Sequence, residues 1–115
     1  MDAAPLWVLS AILRIETGTT IGPFGLNPGK IRRGAHGERG AMQIRRAAFD
    51  EVAQPGESFD RMDSDHDLNV RIGNRYLLKL HKRFKNWDQT IMAYNAGPSN
   101  LTAGREYLAK VKSIK

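Results

Sequence analysis

The chain has 115 residues, 41% of them hydrophobic, and carries 18 Lys and Arg against 12 Asp and Glu, a formal net charge of +6. This length accommodates one core, so we expect a single domain over residues 1–115. The absence of cysteine excludes disulfides and a thiolate nucleophile, and three scattered histidines suit no structural zinc site, so we expect no metal. The positive charge favours polyanionic partners such as nucleic acid, acidic lipid headgroups or the bacterial wall, although a basic protein that is merely soluble has the same composition.

The N-terminal segment predicts a helix over residues 3–17 with Asp2 as its N-cap. Its apolar residues recur at helical spacing: Leu6, Leu9, Ile12 and Leu13. The segment does not resemble an export signal, because it lacks a positively charged start and is interrupted at Ser10 and Arg14. No stretch approaches the ~20 apolar residues needed to cross a bilayer. We therefore expect other machinery to deliver the protein if it acts outside the cytoplasm.

A Gly- and Pro-rich stretch over residues 18–40 follows. Long irregular segments in compact domains are usually functional or disordered, so it predicts either a shaped active-site loop or a floppy connection. Four more helices are predicted over residues 41–53, 67–84, 88–97 and 104–113, with Asp67 and Asp88 as caps of the third and fourth. The apolar stripe of the third helix consists of Leu68, Ile72, Tyr76, Leu77, Leu80 and Phe84. With no repeat and no convincing strand, the sequence predicts an all-α domain of about five helices with little or no sheet.

Glu16 is the most unusual charged residue of the chain. It lies at the end of an apolar helix, one turn after Ile12 and next to Ile15. Burial among apolar groups and the negative end of the helix dipole both disfavour a carboxylate, so both are expected to raise the pKa of Glu16. A glutamic acid that stays protonated near neutral pH is what cleavage of a glycosidic bond requires. The alternative is an exposed surface glutamate.

Two further segments contain residues that suit sugar binding. In residues 34–44, glycines allow the backbone to approach a ligand closely, and Gln43 offers both donor and acceptor groups. The plain alternative is a turn that leads into a helix, with Met42 filling the core. Residues 93–98 place Tyr94 beside Asn95 at a helix end, where a C-cap and a core tyrosine are the plain alternative. Each motif is weak by itself.

Taken in order, these motifs resemble the soluble lytic transglycosylase family, the bacterial relatives of goose-type lysozyme. The family's Glu-Ser at the end of an apolar helix corresponds to residues 16–17, and its Gly-Leu-Met-Gln motif corresponds to residues 40–43. Its Asn-hydrophobic-x-x-Gly-x-x-Tyr-Leu helix is similar to residues 69–77. Its Ala-Tyr-Asn-Ala-Gly-Pro motif is matched at every position of residues 93–98, and its last-helix tyrosine corresponds to Tyr107. The resemblance covers nearly the whole chain.

The resemblance implies a lysozyme-like fold and cleavage of peptidoglycan glycan strands without a cofactor. Glu16 would be the single general acid/base, which protonates the oxygen between N-acetylmuramic acid and N-acetylglucosamine. It would then deprotonate the muramic acid C6 hydroxyl, which closes a 1,6-anhydro ring; attack by water instead would make the enzyme a hydrolytic muramidase. The resemblance implies five substrate-binding residues around the acid, the last of which would help to hold it: Met42, Gln43, Tyr94, Asn95 and Tyr107.

The chain departs from the family pattern in three places. Thr17 replaces the usual serine, the loop over residues 17–40 is longer than is typical, and Arg45-Arg46 stands where a hydrophobic residue and a proline are common. Two-carboxylate glycosidases form another mechanistic class. A second catalytic carboxylate would come from the acids that flank the second motif, although nothing in their spacing marks them: Glu38, Asp50 and Glu51.

Other classes of function explain fewer residues. Residues 63–67 mimic the start of an EF-hand, but Leu68 and Asn74 stand where a calcium loop needs glycine and glutamate, so capping of the third helix by Asp67 is favoured. A small basic helical nucleic-acid binder fits the charge and the Lys/Arg cluster over residues 79–85, yet it leaves Glu16 and residues 93–98 without a role. A catalytically inactive wall-binding domain would have no need for Glu16.

We therefore predict a monomeric peptidoglycan-cleaving enzyme whose partner is the glycan strand and not nucleic acid. Its expected place of action is the cell wall, in the periplasm or outside the cell. The expected context is local opening of the wall by a phage particle or by a conjugation or secretion apparatus, or release with the lysis machinery of a phage.

Overall fold

The computed structural model describes residues 3–17 and 37–114. These residues form five α-helices and two 3₁₀ helices (Phe59–Met62 and Leu101–Gly104). The α-helices are α1 Leu6–Thr17, α2 Arg46–Val52, α3 His66–Phe84, α4 Trp87–Ala96 and α5 Arg105–Ser113. An isolated antiparallel bridge joins Arg39 and Ile44, and the described residues contain no strand. The prediction of an all-α fold with about five helices is confirmed. Most of the predicted loop over residues 18–40 lies outside the described residues.

Helix α1 begins at Leu6, later than predicted, and ends at Thr17 as predicted. Its start is delayed because Pro5 disfavours the helical conformation for the residue before it, Ala4. The Ala4 amide instead donates a hydrogen bond to Asn74 Oδ1 of α3 at 2.7 Å. The predicted cap, Asp2, lies outside the described residues.

Helices α3 and α4 are capped by Asp65 and Asn86, so the predictions of Asp67 and Asp88 as caps are wrong. Each capping side chain accepts a hydrogen bond at 3.0 Å from the backbone amide three residues later. Asp67 and Asp88 lie inside the first turns, where a negative charge suits the helix dipole.

Helix α2 begins at Arg46, so the predicted helix over residues 41–53 is wrong in its first part. The preceding residues form a tight turn in which Arg39 and Ile44 exchange backbone hydrogen bonds at 3.0 and 2.9 Å. Gln43 adopts a left-handed conformation in this turn, with φ of 51°. A helix is excluded there because the backbone amide and carbonyl groups are already used within the turn and by a side chain of α3.

That side chain is the amide of Asn69, which is 1% exposed. Its Oδ1 accepts a hydrogen bond from the Met42 amide at 2.8 Å. Its Nδ2 donates to the carbonyl oxygens of Arg39 at 2.9 Å and Met62 at 3.0 Å. Gly40 is required beside it, because a Cβ at this position would lie 2.2 Å from Asn69 Nδ2. The buried side chain of Asn69 therefore holds the turn before α2 against helix α3.

The hydrophobic core collects side chains from the five α-helices, from the first 3₁₀ helix and from the turn. The largest fully buried apolar residues are Val8, Ile12, Leu13, Met42, Ile44, Met62, Leu68, Ile72, Leu77, Ile91 and Val111. The predicted stripe of α3 is buried at Leu68, Ile72, Leu77 and Leu80, whereas Tyr76 and Phe84 are only half-buried. In the part of the chain that the structure describes, no helix is long and apolar enough to cross a bilayer.

Candidate active site

A cleft of about 300 Å³ lies where the end of α1, the turn before α2 and the end of α4 meet. Four of the predicted site residues line it, although they come from distant parts of the chain: Glu16, Gln43, Tyr94 and Asn95. Glu16 lies in the last turn of α1, and Tyr94 and Asn95 lie in the last turn of α4. The fold therefore brings the three predicted motifs to one concave surface.

The Glu16 carboxyl group is held by the last helix. Tyr107 of α5 donates a hydrogen bond through its hydroxyl to Glu16 Oε2 at 2.6 Å. Tyr107 is buried, and Glu16 is half-buried at the cleft. A tyrosine hydroxyl can donate to a carboxylate and can also accept from a carboxylic acid, so this pairing suits both protonation states of Glu16.

Tyr94 links the end of α4 to the turn before α2. Its hydroxyl donates a hydrogen bond to the carbonyl oxygen of Met42 at 2.6 Å. Its ring packs against that of Tyr76 on α3, with the ring centroids 5.9 Å apart. Burial raises the pKa of Tyr94 well above its usual value, and the nearby charge of Glu16 raises it further. The hydroxyl is therefore a neutral donor throughout the physiological pH range.

Met42 contributes to the site through its backbone. Its side chain is completely buried, and a Cβ on Gly73 would lie 2.5 Å from Met42 Cε, so α3 approaches this side chain closely. The Met42 side chain is not among the groups that line the cleft. The resemblance implied that Met42 would line the glycan cleft; in the structure its carbonyl oxygen accepts the hydrogen bond of Tyr94 and its side chain packs in the core.

Gln43 adopts a strained backbone conformation in the turn before α2. Its left-handed φ of 51° is unfavourable for a residue other than glycine, and such conformations are concentrated at functional sites. Its Nε2 donates a hydrogen bond to the Gly40 carbonyl at 2.8 Å, and the residue lines the cleft. The side-chain amide is therefore held at the cleft wall by its own turn.

Two of the three candidate second carboxylates share the cleft with the acid of α1. Glu38 and Glu51 line it, whereas Asp50 lies on the exposed face of α2 and is not among the lining residues. Glu51 is paired with Lys79 at 3.3 Å, and Glu38 lies 3.9 Å from Arg45. The spacing of Glu38 and Glu51 in the sequence did not predict that both would lie in the same cleft as Glu16. The turn before α2 brings them there.

Sequence reasoning missed Tyr76 and Asn69 as residues of the site. Tyr76 lines the cleft, and Asn69 holds the turn that carries Gln43. Both fall in the segment that resembles the family's Asn-to-Tyr-Leu helix. The resemblance to that motif could have identified both residues. Helical periodicity by itself placed Tyr76 in the apolar stripe of α3.

The aspartates of residues 63–67 have roles in the fold. Asp65 caps α3 and pairs with Arg61 at 2.7 Å, and Asp63 lies 3.4 Å from Arg39. Within residues 3–17 and 37–114, no group of three or more His, Asp or Glu side chains is arranged to hold a metal ion.

The two buried tyrosines predict a loss of stability at alkaline pH. Burial first, and the charge of Glu16 second, raise the pKa of Tyr107 and of Tyr94 well above 10.0. The unfolded chain releases both protons near pH 10 but the folded chain retains them. Their contribution to the free energy of unfolding is therefore complete below pH 10 and falls as the pH rises above it. Urea unfolding at increasing pH measures this fall in the free energy of unfolding. In Tyr107→Phe the free energy should fall less steeply with pH, and a fall as steep as that of the unsubstituted chain would contradict the prediction.

The fold and the cleft define a small all-α domain with one glutamate held by a buried tyrosine beside polar and aromatic groups. The transglycosylase SLT domain family matches residues 23–114, and the chain belongs to this family. The resemblance to soluble lytic transglycosylases is thereby confirmed, and membership implies lytic transglycosylase activity on the peptidoglycan of the cell wall. The matched segment begins after α1 and does not include Glu16. No match was found among curated proteins or among solved structures.

Proposed function

We propose that the chain is a lytic transglycosylase that cleaves the β-1,4 bond between N-acetylmuramic acid and N-acetylglucosamine, with Glu16 as its single general acid/base. The observation that carries the proposal is the 2.6 Å hydrogen bond between Tyr107 and Glu16 at the cleft. Since the family match begins after α1, this geometry and the sequence motif support the choice of acid. Gln43, Tyr94 and Asn95 would contact the glycan from the other walls of the same cleft.

In the first step, neutral Glu16 would protonate the glycosidic oxygen while the bond from this oxygen to muramic acid C1 breaks. N-acetylglucosamine leaves as an alcohol, and the acetamido oxygen of the substrate stabilises the positive charge at C1, as in substrate-assisted glycosidases. Tyr107 would orient the carboxyl group, and its raised pKa keeps its hydroxyl protonated throughout.

In the second step, the Glu16 carboxylate would take the proton from the C6 hydroxyl of the same muramic acid residue. The C6 oxygen attacks C1 and closes the 1,6-anhydro ring, which releases the acetamido oxygen. Glu16 is protonated again at the end, and no water is consumed. The hydroxyl of Tyr107 can remain bonded to Glu16 in both states, because it can act as donor or acceptor.

A hydrolytic muramidase is the second candidate, and one observation favours it. Glu38 and Glu51 line the same cleft as Glu16, so a second carboxylate is available to activate water. In that reaction the oxygen of water attacks C1 and the product has a reducing end.

Mass spectrometry of the products released from purified peptidoglycan distinguishes the two reactions. We expect muropeptides that end in the anhydro form, each lighter by one water than the hydrolysis product. Glu38→Gln and Glu51→Gln should still give anhydro ends, because the proposed mechanism needs neither carboxylate. Reducing ends as the main product would contradict transglycosylation, and their disappearance in one of the two variants would identify the second carboxylate.

The proposed context is local opening of the wall by a phage particle or by a secretion or conjugation apparatus. The net charge of +6 supports it in one respect, since a basic surface is attracted to the anionic wall.

A further inference from the structure

Arg45 places a positive charge at the cleft. It is the residue just before α2, and it is the single cation among the described residues that line the cleft. Its side chain is 53% exposed, and its acidic neighbour, Glu38, lies at 3.9 Å. For comparison, Arg75 donates two hydrogen bonds of 2.6 and 2.9 Å to the carboxylate of Glu57. The ion pair of Arg45 is thus long and open to competition by another carboxylate.

Two of the acids that line the cleft, Glu38 and Glu51, do not prevent an anion from reaching Arg45. Glu51 is compensated by Lys79 at 3.3 Å. Glu38 is only 18% exposed, far less than Arg45, so an anion that arrives from solvent meets the guanidinium first. A guanidinium matches a carboxylate with two parallel hydrogen bonds, a geometry that its 3.9 Å pair with Glu38 does not provide.

We infer that Arg45 binds a carboxylate carried by the muramic acid residue in the cleft, and that it thereby selects muramic acid over N-acetylglucosamine. This inference rests on the proposed function. The two sugars differ by the lactyl ether of muramic acid, which ends in a carboxyl group that is either free or joined to a stem peptide with carboxylates of its own. The ether is on the ring whose C1 would react at Glu16, so its carboxyl group must lie in or beside the same cleft.

Binding measurements with matched oligosaccharides test this role. The parent chain carries Glu16→Gln to stop turnover, and calorimetry compares chitotetraose with an alternating N-acetylglucosamine–N-acetylmuramic acid tetrasaccharide whose lactyl carboxyl groups are free. Arg45→Gln should weaken binding of the alternating tetrasaccharide about tenfold, the size expected for a partly exposed hydrogen bond between charged groups. It should leave chitotetraose binding unchanged, and Arg45→Lys should recover part of the loss.

Arg46→Gln is the matched control. Arg46 is the next residue in the chain, is exposed, pairs with Asp50 at 3.0 Å and does not line the cleft. It should leave the affinity for both tetrasaccharides unchanged, and thermal unfolding verifies that all variants fold. Two further ligands separate the possible sources of the carboxylate: the alternating tetrasaccharide with its lactyl groups converted to amides, and the same sugar with stem peptides. An effect of Arg45→Gln on the free acid assigns the lactyl carboxylate, and an effect confined to the peptide-bearing ligand assigns the stem peptide.

Several results would overturn the inference. An equal loss on both tetrasaccharides would mean that Arg45 only shapes the cleft. An unchanged affinity of Arg45→Gln for every ligand, including the one that carries stem peptides, would mean that Arg45 touches no anion. Tight binding that needs an ammonium group of the stem peptide and is lost in Glu38→Gln, but not in Arg45→Gln, would assign recognition to the acids of the cleft. Failure of the proposed function looks different, because the chain with Glu16 intact would then leave alternating strands uncleaved or would release products with reducing ends.

Discussion

Glu16→Gln is expected to abolish the clearing of a suspension of purified cell walls, with a fall in rate of about 10³-fold. The amide has the size of the acid and can still accept a hydrogen bond from Tyr107, so the cleft should keep its shape. It can neither give a proton to a glycosidic oxygen nor take one from a C6 hydroxyl. Turbidity measured over time at equal protein concentration gives the rate, and circular dichroism verifies that the variant is folded.

Two variants make this experiment specific. Tyr107→Phe removes the hydroxyl that holds Glu16 but keeps the buried ring, so it should reduce the rate by about tenfold without abolishing it. Glu106→Gln changes an exposed acid next to Tyr107 and should leave the rate unchanged. If Glu16→Gln cleared the suspension as fast as the chain with Glu16 intact, Glu16 would not be the general acid/base. No clearing by any form, together with salt-dependent retention of DNA, would favour the basic nucleic-acid binder.

Asn69→Ala is expected to lower the free energy of unfolding by about 3 kcal/mol. The substitution leaves the Met42 amide and the carbonyl groups of Arg39 and Met62 without the partner that they share. It also leaves a cavity at a site that is 1% exposed. Urea unfolding followed by circular dichroism measures the difference.

Asn100→Ala is the control for this substitution. Asn100 is exposed, and its side chain makes no capping hydrogen bond to the 3₁₀ helix that follows it. Its replacement should change the free energy of unfolding by less than about 0.5 kcal/mol. If both asparagine variants were equally stable, the buried amide would not hold the turn, and the position of Gln43 would need another explanation.

Local patterns in the sequence were sufficient to predict five helices and to select Glu16 as the candidate acid. Apolar spacing located α3 and α5 to within a residue or two, because one side of each faces the core. Glu16 was identified by its place at an apolar helix end and by the motifs that follow it in order. These features depend on neighbours within one or two turns, which a sequence displays directly.

The errors at helix ends have a shared cause. The caps of α3 and α4 and the start of α2 depend on which backbone groups find a side-chain partner, and several candidates stand within a few residues of each boundary. The start of α2 is determined by Asn69, whose side chain binds the preceding turn although it is distant from it in sequence. Helical spacing carries no information about such a partner.

The sequence by itself determined the all-α class, the family resemblance and the identity of the candidate acid. The tertiary structure decided what the resemblance did not imply: it buried the Met42 side chain and placed Tyr76, Glu38, Glu51 and Arg45 at the cleft. The physical reason is that helix periodicity follows from contacts a few residues apart. A cleft forms only when the ends of separate helices pack together, and their relative positions depend on long-range burial and hydrogen bonding that no short segment encodes.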